Sequence, residues 1–594
     1  MARRNRDTPA DRPRMGDTPA DPSRRAFFAG AGIAATGLIA GGVGGASLQA
    51  AISQPETEHG FTPLPARSGP GFDHVVVLMY ENRSFDNILG WLYEGQEPPL
   101  GQRFEGLKAG EHSNTAFDGT VVEAHPYQGS TDHIMSSPDP DPGETYPHVN
   151  TQLFGTIDPP SNADIFRNGL RPPFNAPRDT SHPTMSGFVN DYEINFTMES
   201  EGKVATTEQY RVAMGGFTPD MLPVISTLAQ NFGVYDHWFA GVPSQTFCNR
   251  SFFNAGTSHG YVTNMGGGGY NKWLDAFDGS TIFNRLETAG KTWRVYYDAD
   301  QLVSLTGMLH AAHIEKYWKT NFRSMEQFHE DARDGNLPAY AFVEPRMVFN
   351  HNDMHPPHHF ADTEREEDQL FESALSDARA AEVLIAQVYT SIKNGASQTG
   401  SNAMNTAFIM TFDEHGGTYD HVPPPPAVPP SGKPESGEMG FSFDRLGCRV
   451  PTIVVSAYTR KGTVINDEMH HGSIIHTLCQ LHGLEPLSHR DDQARGIFNA
   501  VNLAKPRQPA LWPEVYPAYV PSNPESKAPA LAANAPGRLL TAPGIGLVGM
   551  LLAKYDPAAE VPINYADAYA VLVKHGKGLF GVRDEPKGGG DGQR

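Results

Sequence analysis

Cysteine is nearly missing from this sequence. There are three in 594 residues, Cys248, Cys448 and Cys479, widely spaced and without a CxxC pair. That pattern excludes a disulfide framework, leaves room for a single bridge, and argues against a thiolate zinc site. Positive charge is also short: Lys and Arg total 46 against 68 Asp and Glu, a net charge of −22. Such a surface repels phosphate backbones, so nucleic acid is not an expected partner, although a local cationic or metal pocket is still allowed. No internal repeat is visible. Gly544–Leu552 is apolar but too short to span a bilayer.

What is plentiful is Gly (60) and Pro (49), which puts much of the chain in loops, and long loops in a large enzyme carry the site. The length fits roughly two to four domains, or one large α/β domain with long insertions. Residues 1–50 read as an address. Ser23-Arg24-Arg25-Ala26-Phe27-Phe28 precedes a Gly/Ala-rich stretch, the form of a twin-arginine export signal. An exported protein is expected, whether periplasmic, cell-wall associated or secreted, with the twin-arginine machinery as a partner.

Apolar, β-branched runs predict strands at His74–Tyr80, Phe232–Asp236, Thr292–Tyr297, Tyr340–Val343, Thr406–Phe412 and Val450–Tyr458. Helices are expected over Ser84–Tyr93, Pro219–Asn231, Glu366–Lys393 and Gly472–Leu484. Residues 94–180 lack periodicity and read as long loops over one face. Residues 505–537 read as a Pro/Ala-rich linker, followed by helices at Thr541–Tyr555 and Asp567–Lys574 and a disordered end over 586–594. Strands alternating with helices argue for an α/β fold with a central, largely parallel sheet. The expected organisation is a signal segment (1–50), one main domain (72–504) and a tail (505–594).

Chemistry gathers at strand ends, where open α/β sheets bind ligands. The first strand stops at Glu81-Asn82, and a later one stops at Asp413-Glu414. Read alone, either pair serves equally well as a helix cap. Together on one sheet edge they bring carboxylates and an amide oxygen to one point, a setting for a hard cation. Ser244-Gln245-Thr246 offers a hydroxyl for a metal-activated nucleophile, with Asn249 and Arg250 a turn later to hold phosphoryl oxygens. His148, His355 and His471 lie near acids, as do His421 and the adjacent His358 and His359; the last two read as bystanders. Tyr127, Phe154, Trp238 and Phe239 are candidates for an apolar or cage-like headgroup surface.

Taken together, the motifs resemble a bacterial phosphoesterase family that contains haemolytic and non-haemolytic phospholipases C and a respiratory-burst-inhibiting acid phosphatase. The pieces are Glu81 to Asp86, Met185 to Val189, Thr246 with Asn249-Arg250, Asp353 to Pro357, Asp413 to Pro425, and His471 to Ser473. The resemblance implies an alkaline phosphatase/sulfatase-like fold. It implies Glu81, Asn82, Asp413 and Glu414 as metal ligands and Thr246 as a nucleophile that forms a phospho-threonine. It places His148, His355 and His471 around the phosphoryl group. This chain departs from the pattern at Gln245, Cys248 and Gly472, which leaves Ser244 as a competing nucleophile.

The expectation is an exported, metal-dependent phosphoesterase, a phospholipase C acting on phospholipids with peripheral membrane contact. The alternatives are an acid phosphatase and a non-catalytic, metal-ordered binding protein. Oxygen-rich ligation leaves calcium, manganese, zinc and iron open.

Overall fold

The computed structural model describes residue 64 and residues 68–582, apart from 130, 165–168, 201, 278, 349–350, 358–376 and 518–539. The expected signal segment, His358 and His359, the first part of the helix expected from Glu366 and the end at 586–594 all lie outside the described residues.

Eight strands make the central sheet: β1 His74–Tyr80, β2 Gly233–Tyr235, β3 Trp293–Tyr297, β4 Phe322–Ser324, β5 Tyr340–Val343, β6 Thr406–Phe412, β7 Thr452–Val455 and β8 Thr463–Ile465. Their spatial order is β8-β2-β7-β6-β1-β5-β3-β4. All pairings are parallel except those of β7, which runs against both neighbours. Central strands of such a sheet are covered on both faces, so they read as continuous apolar runs. Every residue of β6 and all but the first of β1 are buried. The two pair in register from His74–Thr406 to Tyr80–Phe412, so Glu81 and Asp413 leave the sheet side by side.

The helices used below are α1 Phe85–Ile88, α2 Tyr146–Phe154, α3 Phe188–Glu199, α4 Thr246–Ala255, α5 Ala378–Asn394, α6 Gly472–His482 and α7 Ala542–Tyr555. The helix expected from Ser84 is a single turn capped by Ser84, whose Oγ accepts from Asn87 N–H.

Residues 94–180 are more structured than expected. They hold a hairpin (Ser113–Thr115 with Val121–Glu123), the helix Thr131–Ser136 and α2. Periodicity failed at α2 because His148, Asn150, Thr151 and Gln152 are buried along with Val149 and Leu153. A helix buried all round has no polar face to reveal it.

Beyond residue 505, Trp512 stacks on Tyr389 and meets Phe232 edge-on. Further on, α7 buries Leu547, Val548, Met550 and Leu551 in the same core that holds the sheet. All three cysteines are free and buried, so the one bridge the sequence allowed is not made. Among the described residues no helix is long and apolar enough to cross a membrane.

Candidate active site

The edge where β1 and β6 end is a buried knot of backbone and side chains. Asp413 Oδ1 accepts from the N–H of Asn82 (3.1 Å) and of Glu414 (2.8 Å). Glu81 N–H donates to Asp353 carbonyl and Arg83 N–H to Glu414 carbonyl. Asn82 holds a positive φ of 58°, which turns the chain out of β1. Asn tolerates that region better than most residues. Gly416 faces this turn with φ 58°, and a Cβ there would lie 2.2 Å from Asn82 carbonyl oxygen, so only glycine fits.

Thr246 is the first residue of α4, and its Oγ lies 3.1 Å from Glu81 Oε2 and 3.4 Å from Asn82 Oδ1. Ser244 is occupied elsewhere, donating its hydroxyl to Val262 carbonyl. Arg250, one turn along α4, pairs with Glu81 and with Asp413 (Nε to Oδ2, 3.3 Å). It is therefore spent on two of the expected ligands, with Nη1 alone unpartnered. Asn249 turns away: its amide bonds Val242 N–H and the carbonyls of Val242 and Ser244, stapling the turn before α4.

The carboxyls crowd one another, and Glu81, Thr246, Asp413 and Glu414 are all fully buried. Burial pushes Glu81 well above the usual carboxylate range, against the pull of Arg250, and Asp413 and Asp353 push it further. Burial, then Glu144 and Asp413, do the same to Glu414. Burial also raises Asp413, with Arg250 opposing. One arginine does not balance this set. Glu414 Oε1 is buried with no hydrogen-bond partner. Orphaned carboxylate oxygen beside a hydroxyl and an amide oxygen is the donor set of a hard divalent cation, and the residues present fit one.

The histidines divide. His471 has both ring nitrogens engaged: Nε2 donates to Asp413 carbonyl (2.5 Å), and Nδ1 accepts from Trp238 Nε1 (3.4 Å). Burial drops its pKa to about 4, so it is a neutral prop behind Asp413. His148 pairs through Nδ1 with Asp191 (2.8 Å). Despite burial, Asp191 holds it above the usual imidazole range. His355 is fully buried, with Nδ1 on Pro356 carbonyl (2.7 Å) and Nε2 facing Glu144 (3.4 Å) and Asp141 (3.9 Å). His421 is structural: it bonds Asp86, which Arg449 ties in turn to Asp420.

Asp141 and Glu144 were missed by sequence reasoning, because they fall in the stretch read as loops. The available signal was three acids in six residues, Asp139, Asp141 and Glu144, just before His148 in a Gly/Pro run. The aromatic surface is a correction. Tyr127, Trp238 and Phe239 are buried in the interior, with Tyr127 hydroxyl on Asn87 and Trp238 on His471. Phe154 lies under the Arg445 guanidinium. Aromatic side chains bury large areas, and here packing claims them.

This edge sets a threonine hydroxyl among buried carboxylates at the ends of parallel strands of an α/β sheet. The Phosphoesterase family model matches residues 72–485, and the chain belongs to that family. It is thus a hydrolase of phosphoric ester bonds. Relatives include Non-specific phospholipase C5 of Arabidopsis thaliana, 31% identical over 76% of this chain and 77% of the relative. Non-specific phospholipase C4 of the same plant is 31% identical over 73% of this chain and 72% of the relative. Phospholipase C B of Mycobacterium tuberculosis is 24% identical over 82% of this chain and 87% of the relative. A solved structure of a protein in the alkaline phosphatase superfamily from Vibrio parahaemolyticus superposes with a TM-score of 0.27 at 11% identity, over 46% of this chain and 63% of that one.

Proposed function

We propose that this chain is a metal-dependent phospholipase C that works through a phospho-threonine. The observation that carries this reading is Thr246 Oγ at 3.1 Å from Glu81 Oε2, at the first position of α4 and beside Asn82. Glu81, Asn82, Asp413 and Glu414 would hold the divalent cation, with Thr246 beside them. When bound, the cation would acidify the Thr246 hydroxyl and offset charge on the phosphoryl oxygens.

The chain's own residues supply the rest. Thr246 hydroxyl points at Glu81, which receives its hydrogen bond and sets the direction of its lone pairs. The first turn of α4 presents the positive end of a ten-residue helix to the same place. As Thr246 Oγ bonds to phosphorus its proton passes to Glu81 Oε2, the bond from phosphorus to the diacylglycerol oxygen breaks, and that oxygen leaves with the proton Thr246 gave up. Water then cleaves the phospho-threonine, releasing the phosphorylated headgroup and restoring the hydroxyl. Arg250 locks Glu81 and Asp413 in place.

A monoanionic diester suits this site better than a phosphate dianion. The nearby arginine is committed to carboxylates, so little uncompensated positive charge is left for a monoester. The names of the relatives support a phospholipid substrate. Thr246→Ala should cost on the order of a thousandfold or more in turnover of phosphatidylcholine or phosphatidylethanolamine while bound metal stays. Full activity in that variant, or faster turnover of a simple phosphomonoester than of either lipid by the wild type, would sink the reading. Export by the twin-arginine route is part of the proposal and is supported by Arg24-Arg25. Replacing both with Lys should hold the enzyme in the cytoplasm; normal secretion would remove that part.

A further inference from the structure

A second group of ligand-type side chains lies against the first and has no role in the chemistry above. Asp141, Glu144 and His355 are buried, and one ligand atom from each falls within 4.8 Å of the others. Glu144 also faces Asn82 and Glu414 of the first cluster. Asp141 Oδ1 and Glu144 Oε2 have no hydrogen-bond partner, and His355 Nε2 has only its long approaches to Glu144 (3.4 Å) and Asp141 (3.9 Å). Each is buried, and buried polar atoms are costly unless they are partnered.

The ring of His355 is oriented for a ligand. Nδ1–H donates to Pro356 carbonyl at 2.7 Å, which leaves Nε2 as the nitrogen turned to the acids. A backbone carbonyl on the far nitrogen is the usual support of a metal-bound histidine. The acids are supported too. Asn195 of α3 donates to Asp141 carbonyl (2.8 Å), and Tyr192 hydroxyl to Pro140 carbonyl (2.8 Å). Nε2 to Glu144 Oε1 is 3.4 Å, too long for a good hydrogen bond. It is close to the edge between ligands around a small cation, about 3.3 Å for bonds near 2.0–2.1 Å in tetrahedral array.

We infer that Asp141, Glu144 and His355 bind a second divalent cation, distinct from the one at Glu81, Asn82, Asp413 and Glu414, with Glu144 reaching toward both. One imidazole nitrogen and two carboxylates select zinc or manganese over calcium. The second ion goes beyond the function proposed above and does not depend on it.

The test is a metal count on the full-length protein, stripped with chelator and reloaded with manganese chloride. Wild type should hold about two ions per chain, with a coupled-spin electron paramagnetic resonance signal if the ions are neighbours. Glu144→Gln and Asp141→Asn should each fall to about one ion, with the simple six-line signal of isolated manganese. Asp413→Asn should also fall to one, through the other site. Reloading with calcium chloride should fill the triad poorly. One ion in wild type, lost in Asp413→Asn and kept in Glu144→Gln, overturns the second site and leaves the first standing. One ion kept in Asp413→Asn and lost in Glu144→Gln establishes the triad and removes the first. If the variants do not fold, crystals of manganese-loaded wild type decide: an anomalous peak among the three side chains supports the site, and its absence there overturns it.

Discussion

The two groups of ligand-type side chains at this edge are built in opposite ways. Glu81, Asn82, Asp413 and Glu414 follow directly on adjacent strands whose register places them side by side. Asp141, Glu144 and His355 sit on loops, and their positions depend on distant pins. These are Asn195 and Tyr192 on α3 for the acids, and for the histidine a relay in which Asp353 accepts from His355 N–H while His351 holds Asp353. A strand-end group is positioned by the sheet's own hydrogen bonds. A loop group is positioned only as well as its supports. The first should therefore fail through its charges, and the second through contacts far from it.

The largest effect is expected from Arg250→Ala. It leaves Glu81 and Asp413 buried without their cationic partner. Breaking a buried ion pair from one side costs about 3–5 kcal/mol. Denaturant unfolding of the metal-free variant should show that loss, and saturating manganese should return part of it. An unchanged midpoint in both conditions would mean that the strand-end group is not held by charge. Gly416→Ala comes next. It combines an unfavourable left-handed backbone with a Cβ 2.2 Å from Asn82 carbonyl oxygen. Together these cost about 3 kcal/mol. Metal affinity should drop with stability, because Asn82 must move to make room.

Chelation sharpens the contrast. A bound ion stabilises the folded state by roughly 2.7 kcal/mol when its concentration is a hundred times its dissociation constant. If both groups hold metal, removing it should lower the melting temperature of wild type more than that of Glu144→Gln, which would have one fewer ion to lose. Equal shifts would place all the metal-linked stability at the strand ends.

The same contrast explains what was legible in the sequence. His74–Tyr80 and Thr406–Phe412 could be read to the residue because strands covered on both faces are apolar throughout. Their polar ends stood out against those runs, and the structure sets Thr246 beside them, 3.1 Å from Glu81 Oε2. Asp141 and Glu144 were not legible. Their neighbourhood buries polar residues, as α2 does, and so loses the periodicity that marks a helix. Direction was also hidden. Nothing in the residue order shows that Asn249 staples its own turn, that His471 faces a carbonyl, or that Trp238 lies inside. Side-chain commitment is decided by tertiary packing, which a single sequence records only indirectly.

The smallest effect tests how far the loop group's support extends. Tyr565 follows α7, and its hydroxyl meets His351 Nε2 at 2.9 Å. His351 Nδ1 holds Asp353 Oδ2 at 3.0 Å, and Asp353 Oδ1 accepts from His355 N–H at 3.2 Å. Asp353 carbonyl in turn accepts from Glu81 N–H, so the relay touches both groups. Tyr565→Phe removes one hydroxyl and should cost about 1 kcal/mol of stability. If the loop group depends on its pins, manganese affinity at Asp141, Glu144 and His355 should weaken severalfold, while affinity at the strand-end group, held by the sheet, changes little. Site-resolved titration of Tyr565→Phe, with Glu144→Gln and Asp413→Asn backgrounds to isolate each ion, reads the two affinities separately. Equal weakening at both would show that the relay acts through Glu81 as strongly as through His355, and the distinction between a sheet-held and a loop-held ligand group would not survive.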